Sequence, residues 1–270
     1  MRVGILTGGG DAPGLNAAIR AVGTMTHARG GSVVQVRDGW KGLLGDGDLA
    51  DLDQSAFEGI LHVGGTILGS SRTNPMKIDG GVEQCLRTIE HAGLDALVAI
   101  GGDDTLSVAR RLAAEGAPVV GCPKTMDNDL SVTEYCIGFD TAVGIVAEGV
   151  EMPELGGRED AGGERDAFGH VRLSKRGVGE RLAEAIEERT GKETRSVSPS
   201  YIQRGGTPSA YDRIWATRCG TVSFALAEKG AFGLMPAVRC GKVDSVPIAD
   251  VVAEQRLVPR ELYEMTRAFR

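Results

Sequence analysis

Two short acidic stretches carry the chemistry of this chain: Pro123-Lys124-Thr125-Met126-Asp127-Asn128-Asp129 and Gly101-Gly102-Asp103-Asp104-Thr105. The first places two carboxylates, an amide, a hydroxyl and an ammonium within seven residues. The second adds two carboxylates and a hydroxyl beside a flexible glycine pair. Each follows an apolar run, residues 118–121 and 95–100, that reads as a buried parallel strand. Open α/β sheets bind ligands at the C-terminal ends of their strands. Two such loops on one sheet edge suit a divalent cation and a phosphorylated ligand, and together they point to phosphoryl transfer. Asp103 offers oxygen to a metal. Asp127 offers a proton acceptor for an attacking sugar hydroxyl. The plainer reading makes Asp103 or Asp104 a helix cap and Asp129 a turn residue. The two loops taken jointly favour function.

A third loop, Gly8-Gly9-Gly10-Asp11-Ala12-Pro13-Gly14, lies between a strand and a helix. Small residues expose backbone N–H groups there, and the following helix adds its positive end, so the loop favours phosphate. It lacks the lysine and spacing of a P-loop and does not make G-x-G-x-x-G. Arg72, in a loop with Ser70, Ser71, Thr73 and Asn74, is placed to fork onto the same anion.

The elements that must position these loops alternate. Val3, Ile5 and Leu6 read as a strand, and a helix follows through Asn16, Ile19, Val22 and Met25 to Gly30-Gly31. Val33, Val34 and Val36 suggest a second strand, and a polar, glycine-broken region then reaches Ile60 and Leu61. Val82, Cys85, Leu86 and Ile89 recur at helical spacing with Gly93 behind them. A strand over 97–100, a helix from Leu106 to Leu112 ending before Gly116, and a strand over 118–121 complete a repeated β-α-β pattern. It predicts a Rossmann-like three-layer α/β lobe over residues 1–137. Behind it, residues 151–175 read as loop. A helix over 179–189 carries Val178, Leu182, Ala185 and Ile186 on one face, and another helix is predicted over 211–229.

Composition narrows the function classes. Glycine makes up 40 of 270 residues and clusters at expected strand ends, which suits close approach of backbone to a ligand. A net charge of -7 argues against a general nucleic-acid or membrane surface. Aromatics at 4% leave little for base stacking. The five cysteines show no CxxC spacing and read as buried thiols in a reducing compartment. With no signal-peptide core and no 18-residue apolar stretch, the cytoplasm is the expected location.

The order of these motifs resembles the phosphofructokinase family. The matching residues are 9–16 around Gly10, Gly69-Ser70-Ser71-Arg72, residues 101–105, residues 123–129 and Gly138-Phe139-Asp140-Thr141-Ala142. Glu193-Thr194-Arg195 and the stretch from Ile202 to Arg213 also match. The likeness runs over nearly the whole chain and is strongest to the actinobacterial type that uses either ATP or pyrophosphate. It implies transfer of a phosphoryl group to the C1 hydroxyl of fructose 6-phosphate in a magnesium-dependent homo-oligomer, dimer or tetramer. Asp127 would be the base, and Thr125 and Asp129 its neighbours in the sugar and transition-state site. Asp103 would hold magnesium. Gly10, Arg72, Gly102, Asp104, Thr105 and Lys124 would surround the donor phosphates, and Glu148, Arg195, Tyr201 and Arg204 the sugar phosphate. Tyr201 stands where the family usually has histidine.

The family pattern also differs here. Val143-Gly144-Ile145 is followed almost at once by Val146-Ala147-Glu148-Gly149, which resembles a strand met much later in the family. The resemblance thus implies loss of roughly seventy residues, enough for two βα units, including a Met-Gly-Arg triplet that grips the sugar. Residues 138–270 would then form an incomplete sugar-phosphate lobe with C-terminal helices and an exposed apolar edge near 145–175. Three further expectations follow. Asp104 stands where ATP users have glycine, which favours pyrophosphate as donor over ATP. A truncated chain of this kind is also a candidate for an inactive binding or regulatory subunit. NAD kinases and lipid kinases share the glycine loop but not the 123–129 run.

Overall fold

A computed structural model describes residues 1–45, 47–142, 178–191, 196 and 204–267. Glu148, Arg195 and Tyr201 lie outside the described residues, as do the loop expected over 151–175 and the apolar edge near 145–175.

The expected alternation is present. Strand β1 (Arg2–Thr7) leads into helix α1 (Leu15–Ala28), then strand β2 (Ser32–Val36). After the glycine-broken region come α2 (Gly81–His91), β4 (Ala96–Gly101), α3 (Asp103–Ala114) and β5 (Val119–Pro123). The glycine-broken region is not featureless: Leu49–Leu52 form β3, which pairs antiparallel with β2 at the sheet edge. Its alternation is too short to stand out among glycines and aspartates. The sheet order is β3-β2-β1-β4-β5, with every pair except β2–β3 parallel.

Period-two alternation builds the layers. Val3, Ile5, Val98 and Ile100 face α1, whereas Leu6, Leu97 and Ala99 face α2 and α3 with Cys85, Ile89, Leu106 and Leu112. All of these residues are buried. Helix α2 ends as its glycine suggests, with Gly93 in the left-handed region at φ 60°.

Beyond β5 follow a short helix α4 (Phe139–Ala142), α5 (Val178–Thr190), α6 (Ala210–Glu228) and an antiparallel hairpin, β6 (Leu234–Arg239) with β7 (Lys242–Pro247). A short α7 (Ile248–Val251) and α8 (Arg260–Arg267) end the described chain. The hairpin lies among the C-terminal helices, and its strands were not singled out in the sequence. Its apolar positions, Met235, Ala237 and Val246, join the core beside α3. Helix α6 packs against the same sheet face as α1 through Trp215, Ala216 and Cys219. The apolar face expected on α5 is not buried: Leu182 and Ile186 are exposed, and the small Ala183 is covered instead. The architecture is therefore a three-layer α/β fold around one five-stranded sheet, with a reduced two-stranded second sheet.

Candidate active site

The strand order reverses direction at β1, which has β2 on one side and β4 on the other. Open α/β sheets bind ligands at such a switch point, outside the strands' C-terminal ends, and the predicted loops meet there. Gly8 N–H donates to Ile100 O at 2.9 Å, and Gly9 N–H donates to Ser71 O at 2.9 Å. The Ser70 hydroxyl donates to Gly9 O. The glycine loop is thus stitched to both β4 and the 69–75 segment. Helix α1 starts after Gly14, left-handed at φ 98°, and carries no acidic residue in its first turn. The first turn itself therefore places no carboxylate between the helix's positive end and the loop. Asn16 fixes the neighbouring wall: its Nδ2 donates to Val63 O at 3.1 Å, and its Oδ1 accepts from Ile67 N at 2.9 Å.

Two glycines are required by close approach. The buried Thr105 side chain lies directly beneath Gly8 and Gly101, so a Cβ at either would collide with it. Gly10 is covered instead by the Arg204 guanidinium, whose Nη1 donates to Asp11 O at 3.4 Å. The arginine expected at the sugar phosphate is therefore laid across the glycine loop.

Lys124 is buried at the end of β5, and its Nζ donates to Gly8 O at 2.9 Å and Gly10 O at 2.8 Å. Burial first, then Arg204, lowers this ammonium to about 8; Asp11 and Asp127 pull it up, and Arg72 adds a smaller push down. Two of its three N–H groups are used on carbonyls among the described residues. Arg72 itself is exposed.

Of the acidic pair that begins α3, neither residue is the cap. The N-cap is Gly102, with no side-chain hydrogen bond, and Asp103 and Asp104 fill the first turn. Asp104 Oδ1 accepts from the buried Asn74 Nδ2 at 2.8 Å, and Asn74 Oδ1 in turn accepts from Met76 N at 2.9 Å. The carboxylate is thereby fixed against the 69–75 segment. The Asp103 carboxyl is raised above its ordinary value by partial burial, then by Asp129 and Asp104. Asp103 and Asp129 therefore share one electrostatic environment.

The 123–129 stretch turns away from the sheet. Asp127 is exposed, and its N–H donates to Thr125 Oγ1 at 3.2 Å. Asn128 is left-handed at φ 53°; its Oδ1 accepts from Cys136 N at 2.8 Å and its Nδ2 donates to Glu134 O at 3.1 Å. Asp129 Oδ2 accepts from Gln255 Nε2 at 2.6 Å.

Behind this loop, Asp212 at the start of α6 is fully buried and accepts from Gly138 N at 2.8 Å and Thr141 N at 2.9 Å. It also accepts from the hydroxyls of Thr141 and Tyr135. Burial, the Asp212 hydrogen bond and its charge raise the Tyr135 phenol, which stays a donor. Asn128 lies inside the 123–129 stretch, Asn74 in the Arg72 loop and Asp212 inside the Tyr211-Asp212-Arg213 match, but their supporting roles were not read from the sequence. Gln255 lies in no stretch that the sequence singled out.

Among the described residues no group of three or more His, Cys, Asp or Glu is arranged to hold a metal. Magnesium needs fewer protein ligands, since one or two carboxylates plus phosphate oxygens suffice. Asp103, exposed and repelled by two neighbouring carboxylates, fits that requirement.

The Phosphofructokinase family signature matches residues 2–155 and 145–227, in two pieces that overlap at 145–155. A pyrophosphate–fructose 6-phosphate 1-phosphotransferase of Amycolatopsis methanolica is 41% identical over 342 aligned residues, covering 100% of this chain and 99% of that protein. ATP-dependent 6-phosphofructokinase 3 of Streptomyces coelicolor is 38% identical, covering 97% and 98%. A pyrophosphate-dependent phosphofructokinase structure from Marinobacter aquaeolei superposes with a TM-score of 0.73 at 20% identity, over 96% of this chain and 86% of that one. With 270 residues against an alignment of 342, this chain is shorter than its relatives, and the split family match places the shortening inside the chain. The chain belongs to the phosphofructokinase family.

Proposed function

We propose that this chain moves a phosphoryl group from pyrophosphate to the C1 hydroxyl of fructose 6-phosphate, releasing phosphate and fructose 1,6-bisphosphate. One observation carries the reading: the glycine loop, Arg72, Lys124, Asp103 and the Asp127 loop come together at the sheet's switch point. In this reading residues 1–137 hold donor and magnesium, and residues 138–270 form the incomplete sugar-phosphate lobe. Gly10, Gly102 and the α1 N-terminus present N–H groups to the donor, and the third N–H of Lys124 and the Arg72 guanidinium neutralise it. Thr105, buried under Gly8 and Gly101, shapes the floor of that cradle. Asp127 takes the proton of the C1 hydroxyl, with Thr125 and Asp129 positioning the acceptor. Glu148, Arg195 and Tyr201 hold the sugar phosphate, and Arg204, which lies over Gly10 in the chain without substrate, either joins them when substrate enters or stays with the donor. Asp103 holds magnesium, which when bound supplies positive charge to the transferring group.

The donor preference rests on Asp104. Asn74 holds its carboxylate in place, where it would repel the α-phosphate of a nucleotide, and pyrophosphate ends short of that point. Names of relatives point both ways, to pyrophosphate in Amycolatopsis methanolica and to ATP in one Streptomyces coelicolor protein. The working form is a cytoplasmic homo-oligomer, dimer or tetramer. No helix among the described residues is long and apolar enough to cross a membrane.

A second reading follows from the shortening. The missing positions remove part of the sugar grip, and near-attack geometry depends on both sides being held. An inactive subunit that binds an intact relative is the outcome if that loss is decisive. A coupled assay with fructose 6-phosphate, magnesium and either donor separates the two. Turnover with pyrophosphate, lowered ~10²–10⁴-fold by Asp127→Asn, supports the enzyme. Binding of fructose 6-phosphate without turnover, together with co-purification with an intact relative, supports the subunit. An unchanged rate in Asp127→Asn removes the role given to that residue.

A further inference from the structure

The Asp127 loop is irregular, yet something outside it holds it in place. The segment after α7 runs beside it: Leu130 and Gln255 form an antiparallel bridge, and Arg256 N–H donates to Asp129 O at 2.8 Å. Arg256 Nη1 reaches Thr133 O and Glu134 O at 3.1 Å each, and Ser131 Oγ donates to Val251 O at 2.8 Å. All of these contacts end on backbone. One contact across this seam ends on a carboxylate instead, Gln255 Nε2 to Asp129 Oδ2 at 2.6 Å.

We propose that Gln255 is a positioning residue that fixes the Asp129 carboxylate, and with it the Asp127–Asp129 turn, for phosphoryl transfer. The chemistry of the amide explains the choice. A neutral N–H donor fixes one carboxylate oxygen without cancelling the charge, and it leaves the other oxygen for substrate. A lysine or arginine would grip as well but would neutralise the charge that the site uses. An asparagine is one methylene too short. The idea rests on the proposed reaction only for its kinetic half, since the ordering of the loop is a property of the chain itself.

The test therefore has two independent arms on the full chain. In the first, amide hydrogen exchange is followed at 127–130, with β1 and β4 as internal reference. Gln255→Ala should speed exchange at 127–130 about tenfold, the scale of one lost hydrogen bond to a charged group, with the reference strands unchanged. Gln255→Lys should keep wild-type protection. Unchanged exchange in Gln255→Ala overturns the proposal whether or not the chain turns over. In the second arm, with an active chain, Gln255→Ala and Gln255→Lys should both lower kcat at least tenfold while the KM for pyrophosphate stays within twofold. A Gln255→Lys protein with wild-type kcat would overturn the argument for a neutral donor.

Discussion

The two acidic loops leave neighbouring parallel strands at the same sheet edge but are built by opposite means. Asp103 and Asp104 ride on the first turn of α3, whose course is fixed by its own backbone and by buried Leu106, Val108 and Leu112. Asp127 and Asp129 sit in an irregular turn whose shape depends on residues far along the chain: Asn128 onto Glu134 and Cys136, Gln255 onto Asp129, and Asp212 onto the strand of backbone just beyond. The first pair rides on a regular helix turn, with Asn74 holding the Asp104 carboxylate from a distance, whereas in the second pair the turn itself is shaped by long-range polar contacts. Mutations at the supports of the second loop should therefore cost far more than mutations at the first.

The largest effect should come at Asp212. Asp212→Ala leaves the N–H groups of Gly138 and Thr141 and the Tyr135 hydroxyl without their acceptor in a buried site. Unfolding in urea should show a loss of about 3 kcal/mol or more. Asp103→Ala, on the exposed helix start, should stay within about 1 kcal/mol. Equal losses would erase the contrast between local and long-range support.

Asn128 sharpens it further by separating backbone from side chain. Asn128→Gly tolerates the φ of 53° but loses both side-chain hydrogen bonds, whereas Asn128→Ala loses the bonds and strains the turn. The alanine variant should be the less stable of the two by roughly 1 kcal/mol, measured by thermal unfolding. Both should lower turnover. Identical stabilities would mean that the left-handed turn carries no strain.

Legibility in the sequence follows the same division. Strands β1, β4 and β5, helices α1 to α3 and the converging loops announced themselves, because apolar period and glycine punctuation are local signals. Short β3 and the β6–β7 hairpin did not, since a few alternating residues among glycines or charges carry little period. At the site, Asp103, Asp127, Lys124 and Arg72 stood out by residue type and spacing. Asn74 and Gln255 did not, because a neutral amide becomes informative only once its partner is in view. Arg204 was expected at a sugar phosphate and lies over Gly10, a contact across the chain that no local pattern announces.

Within the local loop, Asp104→Gly tests the donor. It frees the space beside the α3 N-terminus at a helix cost of roughly 1 kcal/mol. The ratio of kcat/KM for ATP to that for pyrophosphate should rise about tenfold or more. Ratios that do not move would place donor choice elsewhere, and strong ATP use by the unmutated chain would reverse the preference.

The smallest effect concerns Lys124, which ties the second acidic loop to the glycine loop through the Gly8 and Gly10 carbonyls. Its ammonium is depressed from 10.5 to about 8, chiefly by burial and then by Arg204. The fold therefore disfavours the charged form. Between pH 8 and 10.5 the unfolded chain keeps a proton that the folded chain has lost, so this group makes stability rise with pH across that window. Donor binding should run the other way, because an anion is held by the ammonium and not by the amine. The KM for pyrophosphate should be flat up to about pH 8 and climb above it, and calorimetry in buffers of differing ionisation enthalpy should detect proton uptake on binding there. Lys124→Met should weaken pyrophosphate at every pH and lose the upward bend, while urea unfolding of the same variant should lose the stability rise. If the bend persists in Lys124→Met, the titrating group lies elsewhere. If it is missing from the unmutated chain, the ammonium faces only the Gly8 and Gly10 carbonyls, and the donor is held by Arg72, Arg204 and the loop amides.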